Sequence, residues 1–196
     1  MLGGVFRMAR KPTDKQLFKE KNEMLSERLQ KVSAYEFYRD VFPEGWMEER
    51  GNYEDRKPNA IFTVVKDGSG ENKYAQNTIM FDDLKELDEA MGAEFAVTSP
   101  ITYSGKKRKA VNAYHLWGFA IDLDGVGMNE LRDLLRQIEK GLLPEPCYVV
   151  NSGNGLHIYY LFEEPIPLYQ RLHKPLGQLK HGLTNRVWNK YTSNID

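Results

Sequence analysis

Asp122 and Asp124 stand in the run Phe119-Ala-Ile-Asp122-Leu-Asp124-Gly-Val. His157 follows about thirty residues later, in Tyr148-Val-Val-Asn-Ser152-Gly-Asn-Gly-Leu-His157-Ile-Tyr-Tyr-Leu-Phe162. Both runs read as short strands ending in glycine turns. Side chains alternate along a strand, so Phe119, Ile121 and Leu123 face one way while Ala120, Asp122 and Asp124 face the other. Two acids projecting together repel one another unless a cation lies between their oxygens, and hard oxygen ligands suit Mg²⁺ or Mn²⁺. The pattern asks for a divalent metal and, with it, for phosphates.

The elements that must hold these groups are legible in part. Thr13 to Val32 has Leu17, Met24, Leu25 and Leu29 near helical spacing, with Thr13 or Asp14 as cap, and reads as an exposed N-terminal helix. Ser33 to Phe42 predicts a more apolar helix that Pro43 and Gly45 stop. Ala60 to Val65 has the β-branched character of a buried strand, followed by a turn at Asp67-Gly-Ser-Gly70. Asp82 to Met91 repeats helical spacing through Leu84, Leu87 and Met91. Met128, Leu131, Leu134, Leu135 and Ile138 mark an amphipathic helix ending at Gly141. Tyr148 to Ser152 and Leu156 to Phe162 flank Gly153-Asn-Gly155 as a hairpin with a bulged or three-residue loop. Leucines at 172, 176, 179 and 183 predict one or two helices between Leu168 and Trp188, kinked or broken at Pro175. This order gives a mixed α+β domain with an antiparallel sheet rather than regular βαβ alternation.

The chain of 196 residues suits one compact domain with an N-terminal extension. Its 41% apolar and 28% charged residues and formal net charge of −1 are those of an ordinary soluble protein, so global charge points to no partner. Local charge says more: Lys106, Lys107, Arg108 and Lys109 form a basic run ahead of the Asp122 strand, suited to phosphates if it lies near the metal site. The single Cys147 excludes an internal disulfide and a four-thiolate zinc site, which fits a reducing cytoplasm. No apolar run is long enough to span a membrane, and Met1 to Arg7 is too short and poorly flanked for a signal peptide. His115, His173 and His181 have no metal-ligand spacing and read as structural. Trp117, Tyr159, Tyr160 and Trp188 read as packing residues.

Asp122-Leu-Asp124, then Ser152-Gly-Asn-Gly-Leu-His157, then Ile195-Asp196 resembles the archaeo-eukaryotic primase (primase-polymerase) superfamily, especially the modules carried by plasmids and other mobile elements. Family members have a strand ending in Asp-x-Asp, a Ser-Gly-x-Gly-x-His element on a neighbouring strand, and a third acid after an apolar residue. The resemblance covers roughly Thr98 to Asp196. It implies an RRM-like antiparallel or mixed sheet with flanking helices, a catalytic core over 46–196 after an N-terminal helical extension over 1–45, and a family sheet continuing past Asp196. It also implies DNA-templated nucleotidyl transfer in replication of a plasmid, phage or integrated element. Asp122, Asp124 and Asp196 would hold Mg²⁺ or Mn²⁺. Ser152, Gly153, Asn154, Gly155 and His157 would cradle the nucleoside triphosphate, so that His157 binds nucleotide rather than metal. Lys106 to Lys109, with Tyr103 and Tyr114 nearby, would guide a single-stranded DNA template, and a replicative helicase would be a partner.

Two other functions share some of these residues. In a haloacid-dehalogenase-type phosphatase, Asp122 would be the nucleophile and Asp124 the acid/base, with Val150-Asn-Ser152-Gly imitating the second motif. That fold needs a parallel sheet, a later lysine and a late acidic pair. In a non-catalytic nucleic-acid-binding replication module, the sheet and basic loop would remain while the acids were dispensable.

Overall fold

The computed structural model describes residues 14–52, 56–67, 73–92 and 95–189. Among the described residues five α-helices and six strands run α1 (Asp14–Ser26), α2 (Ala34–Val41), β1 (Asn59–Asp67), β2 (Lys73–Met80), α3 (Leu87–Gly92), β3 (Phe95–Tyr103), β4 (Ala113–Leu123), α4 (Met128–Glu139), β5 (Tyr148–Asn151), β6 (Leu156–Pro167) and α5 (Gln170–Val187). The strands form one sheet in the order β2-β1-β3-β4-β6-β5. Every pairing is antiparallel, so the fold is α+β with an N-terminal helix, as expected. No helix among the described residues is long and apolar enough to cross a membrane.

Alternation along the strands separates two cores. On one face Ala60, Phe62, Val64 and Met80 meet Phe37 and Val41 of α2, its C-cap Phe42 and the loop residues Met47 and Leu84, with Trp117 and Tyr159 at the centre of the sheet. On the other face Ile121, Leu123, Leu156 and Ile158 meet Leu131, Leu134 and Leu135 of α4, joined by Leu25 of α1 and Val187 of α5. The helical spacing read in α4 is therefore its buried stripe, and Glu130 reaches back to accept from the Gly127 N–H at 3.0 Å at its start.

Several segments depart from the sequence expectation for identifiable reasons. α1, expected to lie exposed, keeps a buried side: Lys21 is 0% and Leu25 8% exposed. It ends at Ser26 rather than Val32, in a turn where the amides of both Arg28 and Leu29 return to the Leu25 carbonyl. The helix expected from Asp82 begins only at Leu87, because Leu84 adopts a left-handed backbone (φ 55°) that drives its side chain into the core. Asp82 is used instead as an acceptor for the Gly45 and Met47 amides, at 3.1–3.2 Å. α5 runs unbroken through Pro175, which falls in its second turn and forgoes a single ladder bond. The turn expected at Asp67-Gly-Ser-Gly70 lies mostly outside the described residues, though Asp67 pairs with Lys73 across it.

α2 is the element that bears most directly on the functional end of the sheet. Its N-cap Ser33 accepts from the Glu36 N–H at 3.1 Å, and Phe37 makes edge contacts with Tyr38, Tyr148 and Tyr159 at centroid separations of 4.9–5.1 Å. Phe37→Ala should cost about 3–5 kcal/mol of unfolding free energy, and Ser33→Ala about 1 kcal/mol, read by urea denaturation. Equal small losses for both would show that α2 is not seated on this core.

Candidate functional site

β4 and β6 place the two motifs side by side. Their register pairs Ala120 with Tyr159, Asp122 with His157 and Leu123 with Leu156, and β5 extends the same rows by pairing Tyr148 with Tyr159 and Val150 with His157. Directly opposed residues share a sheet face. Asp122, His157 and Val150 thus form one rung, beyond the rung of Ala120, Tyr159 and Tyr148 that Phe37 covers. Where α2 stops covering the sheet, Asp122 and His157 emerge with side chains 65% and 32% exposed. His157 Nε2 lies 3.3 Å from Asp122 Oδ1, an ion-pair distance when the imidazole is protonated.

The surroundings are polarised by aromatic hydroxyls. Burial pushes the Tyr159 phenol up to about 12, with the charges of Tyr38 and Asp122 adding to the shift. Tyr148 is held at about 12 by burial and then by its hydrogen bond to Asp40. Both phenols stay protonated near neutral pH, and the Tyr148 hydroxyl donates to the Asp40 carboxylate.

Asp124 begins the turn that follows β4, where Gly125 takes a left-handed backbone (φ 66°). The hairpin loop covers residues 152–155 and is closed by the Ser152 N–H donating to the Gly155 carbonyl at 3.3 Å. It is one residue longer than the three-residue loop read from Gly153-Asn-Gly155. Gly153 has φ 97°, which favours glycine. Gly155 is required for a different reason: a Cβ there would stand 2.3 Å from the Leu123 carbonyl oxygen and 3.3 Å from Asp124 Cα. The two motif backbones therefore touch, through a position that only glycine fits.

Lys21 was not singled out by its sequence. Its ammonium donates to the carbonyls of Val126 and Gly155, both at 3.2 Å, and to that of Gly153. Burial lowers its pKa below the ordinary lysine value. The same helix receives Asn151, whose amide donates to the Phe18 carbonyl and Asn22 Oδ1 at 3.0 Å while its oxygen accepts from the Gly153 N–H at 3.1 Å. One signal could have found Lys21: it falls four residues after Leu17 and four before Leu25, on the apolar stripe of α1.

Seven of the expected residues are thus gathered at one end of β4 and β6: Asp122, Asp124, Ser152, Gly153, Asn154, Gly155 and His157. Lys106, Lys107, Arg108 and Lys109 are not among them. They lie in the β3–β4 connection at the opposite end of β4, nine residues before Asp122 counted from Ala113, a separation of roughly 30 Å along an extended strand. The sequence places this run before Asp122 but cannot say that a full strand separates them. Asp196 lies outside the described residues. Among the described residues no group of three or more His, Cys, Asp or Glu side chains converges on one point. Asp122 and Asp124 nevertheless suit a hard divalent cation, since both are exposed oxygen donors at a strand end.

Gly155→Ala should lower stability by about 1–3 kcal/mol and part the two loops, because the clash is with backbone rather than with a mobile side-chain tip. Gly153→Ala, which meets nothing within 4 Å, should cost only the strain of its left-handed backbone, about 1–2 kcal/mol. Thermal unfolding of both variants checks the order, and a milder effect at 155 than at 153 would contradict it. Comparisons of the chain with protein-family models, with curated proteins and with solved structures find no match.

Proposed function

We propose that the chain is the catalytic core of a primase-polymerase, joining nucleotides on a single-stranded DNA template during replication of a plasmid, phage or integrated element. The observation that carries this reading is the β4–β6 register, which makes Asp122 and His157 direct neighbours and lays the glycine loop against the Asp124 turn. Two motifs separated in sequence become one site of carboxylates, imidazole and backbone amides. Carboxylate, imidazole and backbone amide are groups of the kind that nucleotidyl transfer uses.

Asp122 and Asp124 would hold Mg²⁺ or Mn²⁺, together with Asp196. The bound ions would supply positive charge to the phosphoryl oxygens and the leaving pyrophosphate. The loop at 152–155 approaches phosphates closely because Gly153 and Gly155 carry no side chain, and the Ser152 hydroxyl is exposed beside it. A phosphate oxygen would compete with Asp122 for the His157 Nε2–H, which gives the imidazole a part in binding nucleotide. Contacts of Lys106 to Lys109 would be to template well away from the reacting nucleotide.

The phosphatase alternative fits poorly, because it needs its nucleophile on an early strand of a parallel sheet, whereas β4 is the fourth of six antiparallel strands. A non-catalytic binding module remains the competing outcome of the test. Asp122→Ala protein should lose Mn²⁺-dependent incorporation of nucleotide on a primed template by about a hundredfold or more. His157→Ala should chiefly raise the KM for triphosphate, and chelation of the metal should stop the reaction. Retained incorporation by folded Asp122→Ala protein would sink the assignment.

A further inference from the structure

Lys21 is placed where a scaffold residue would be apolar. It is 0% exposed on a helix face shared with Leu25, yet its ammonium ends against three backbone carbonyls, those of Val126, Gly153 and Gly155. An ammonium has three donors, and here each has an acceptor. Removing such a charge from water is costly, so a position of this kind is better explained by what the charge does than by packing. The acceptors are also selective: one belongs to the turn after Asp124 and two to the Ser-Gly-Asn-Gly loop.

Peptide geometry converts this contact into a consequence for ligands. In a trans peptide the C=O and the next residue's N–H point in opposite directions. With the Gly153 carbonyl turned in towards Lys21, the amide of Asn154 is turned out, at a residue that is itself exposed. The Gly153 amide is occupied by Asn151, so the loop keeps its conformation while Asn154 faces the open side. A positive charge lies immediately behind this loop, shielded from water, where its field on an anion in front is least screened.

We propose that Lys21 is a positioning residue for the triphosphate. From behind the glycine loop it fixes the two motif turns against each other, directs the Asn154 amide outward and supplies charge beneath the phosphates. Docking of α1 and binding of nucleoside triphosphate are then a single coupled equilibrium, so each strengthens the other. This rests on the nucleotide-binding reading given above and adds to it a helix that carries neither motif.

The test uses the full chain and ATP with Mn²⁺. Hydrogen exchange is followed in α1, in the 152–157 segment and in β2 as a remote control, with and without ligand, for the wild type and for Lys21→Met, which keeps the aliphatic stem without the charge. The expected result is that ATP slows exchange in both α1 and 152–157 of the wild type but not in β2. Lys21→Met should weaken ATP binding by about tenfold or more, with a smaller change in kcat, and should uncouple the two segments. A folded Lys21→Met protein with wild-type affinity would overturn the proposal. If that variant does not fold, the wild type decides: ATP protection of 152–157 without protection of α1 overturns the coupling. Absence of ATP binding by the wild type would overturn the nucleotide-binding reading itself, and the proposal with it.

Discussion

The antiparallel register of β4 against β6 is the constraint on which the remaining geometry depends. Two glycines permit it. At Gly118 a Cβ would meet the Tyr160 carbonyl oxygen at 2.5 Å, and at Gly155 it would meet the Leu123 carbonyl oxygen at 2.3 Å. Close backbone approach at both points fixes how the strands slide on one another. A slip of one residue would move every side chain to the opposite face. Asp122 would then enter the core packed by α4, and Leu123 would be left in water.

The same alternation makes burial and reactivity neighbours. The α4 face takes Ile121, Leu123, Leu156 and Ile158, so the intervening Asp122 and His157 must emerge on the face that α2 covers only in part. Phe37, Tyr38, Tyr148 and Tyr159 fill that face up to the edge of the polar rung. Their burial raises the phenol pKa values and leaves the carboxylate beside protonated hydroxyls. Exposure of Asp122 thus follows from where one short helix ends, not from any property of the strand that carries it.

Charge is divided along β4. Its start receives the exposed lysines of the β3–β4 connection, while its end carries the two aspartates and, behind the loops, the enclosed ammonium of Lys21. The solvated lysines attract anions over a range set by salt, and their contribution fades within about 10 Å at moderate ionic strength. The enclosed ammonium is screened far less, but it acts only on what lies against the loop.

What the sequence determined by itself was local. Alternation along Phe119 to Leu123 set Asp122 apart from Ile121 and Leu123, amphipathic spacing located α4, and Gly153-Asn-Gly155 marked a hairpin loop, because each of these signals is a periodicity or a turn requirement within a few residues, whereas Asp124 lies past the strand end in the turn. It did not reveal β2, an edge strand whose exposed Ala75, Gln76 and Asn77 give no apolar alternation, or the unbroken course of α5 through Pro175. Nor did it separate the basic run from the acids, since adjacency in the chain carries no distance when a strand lies between. The tertiary structure alone decided that Asp122 faces His157 and that Lys21, more than a hundred residues from either loop, turns inward to join them. Those outcomes depend on strand order and helix docking, and the free energy that selects them comes from burying both sheet faces at once.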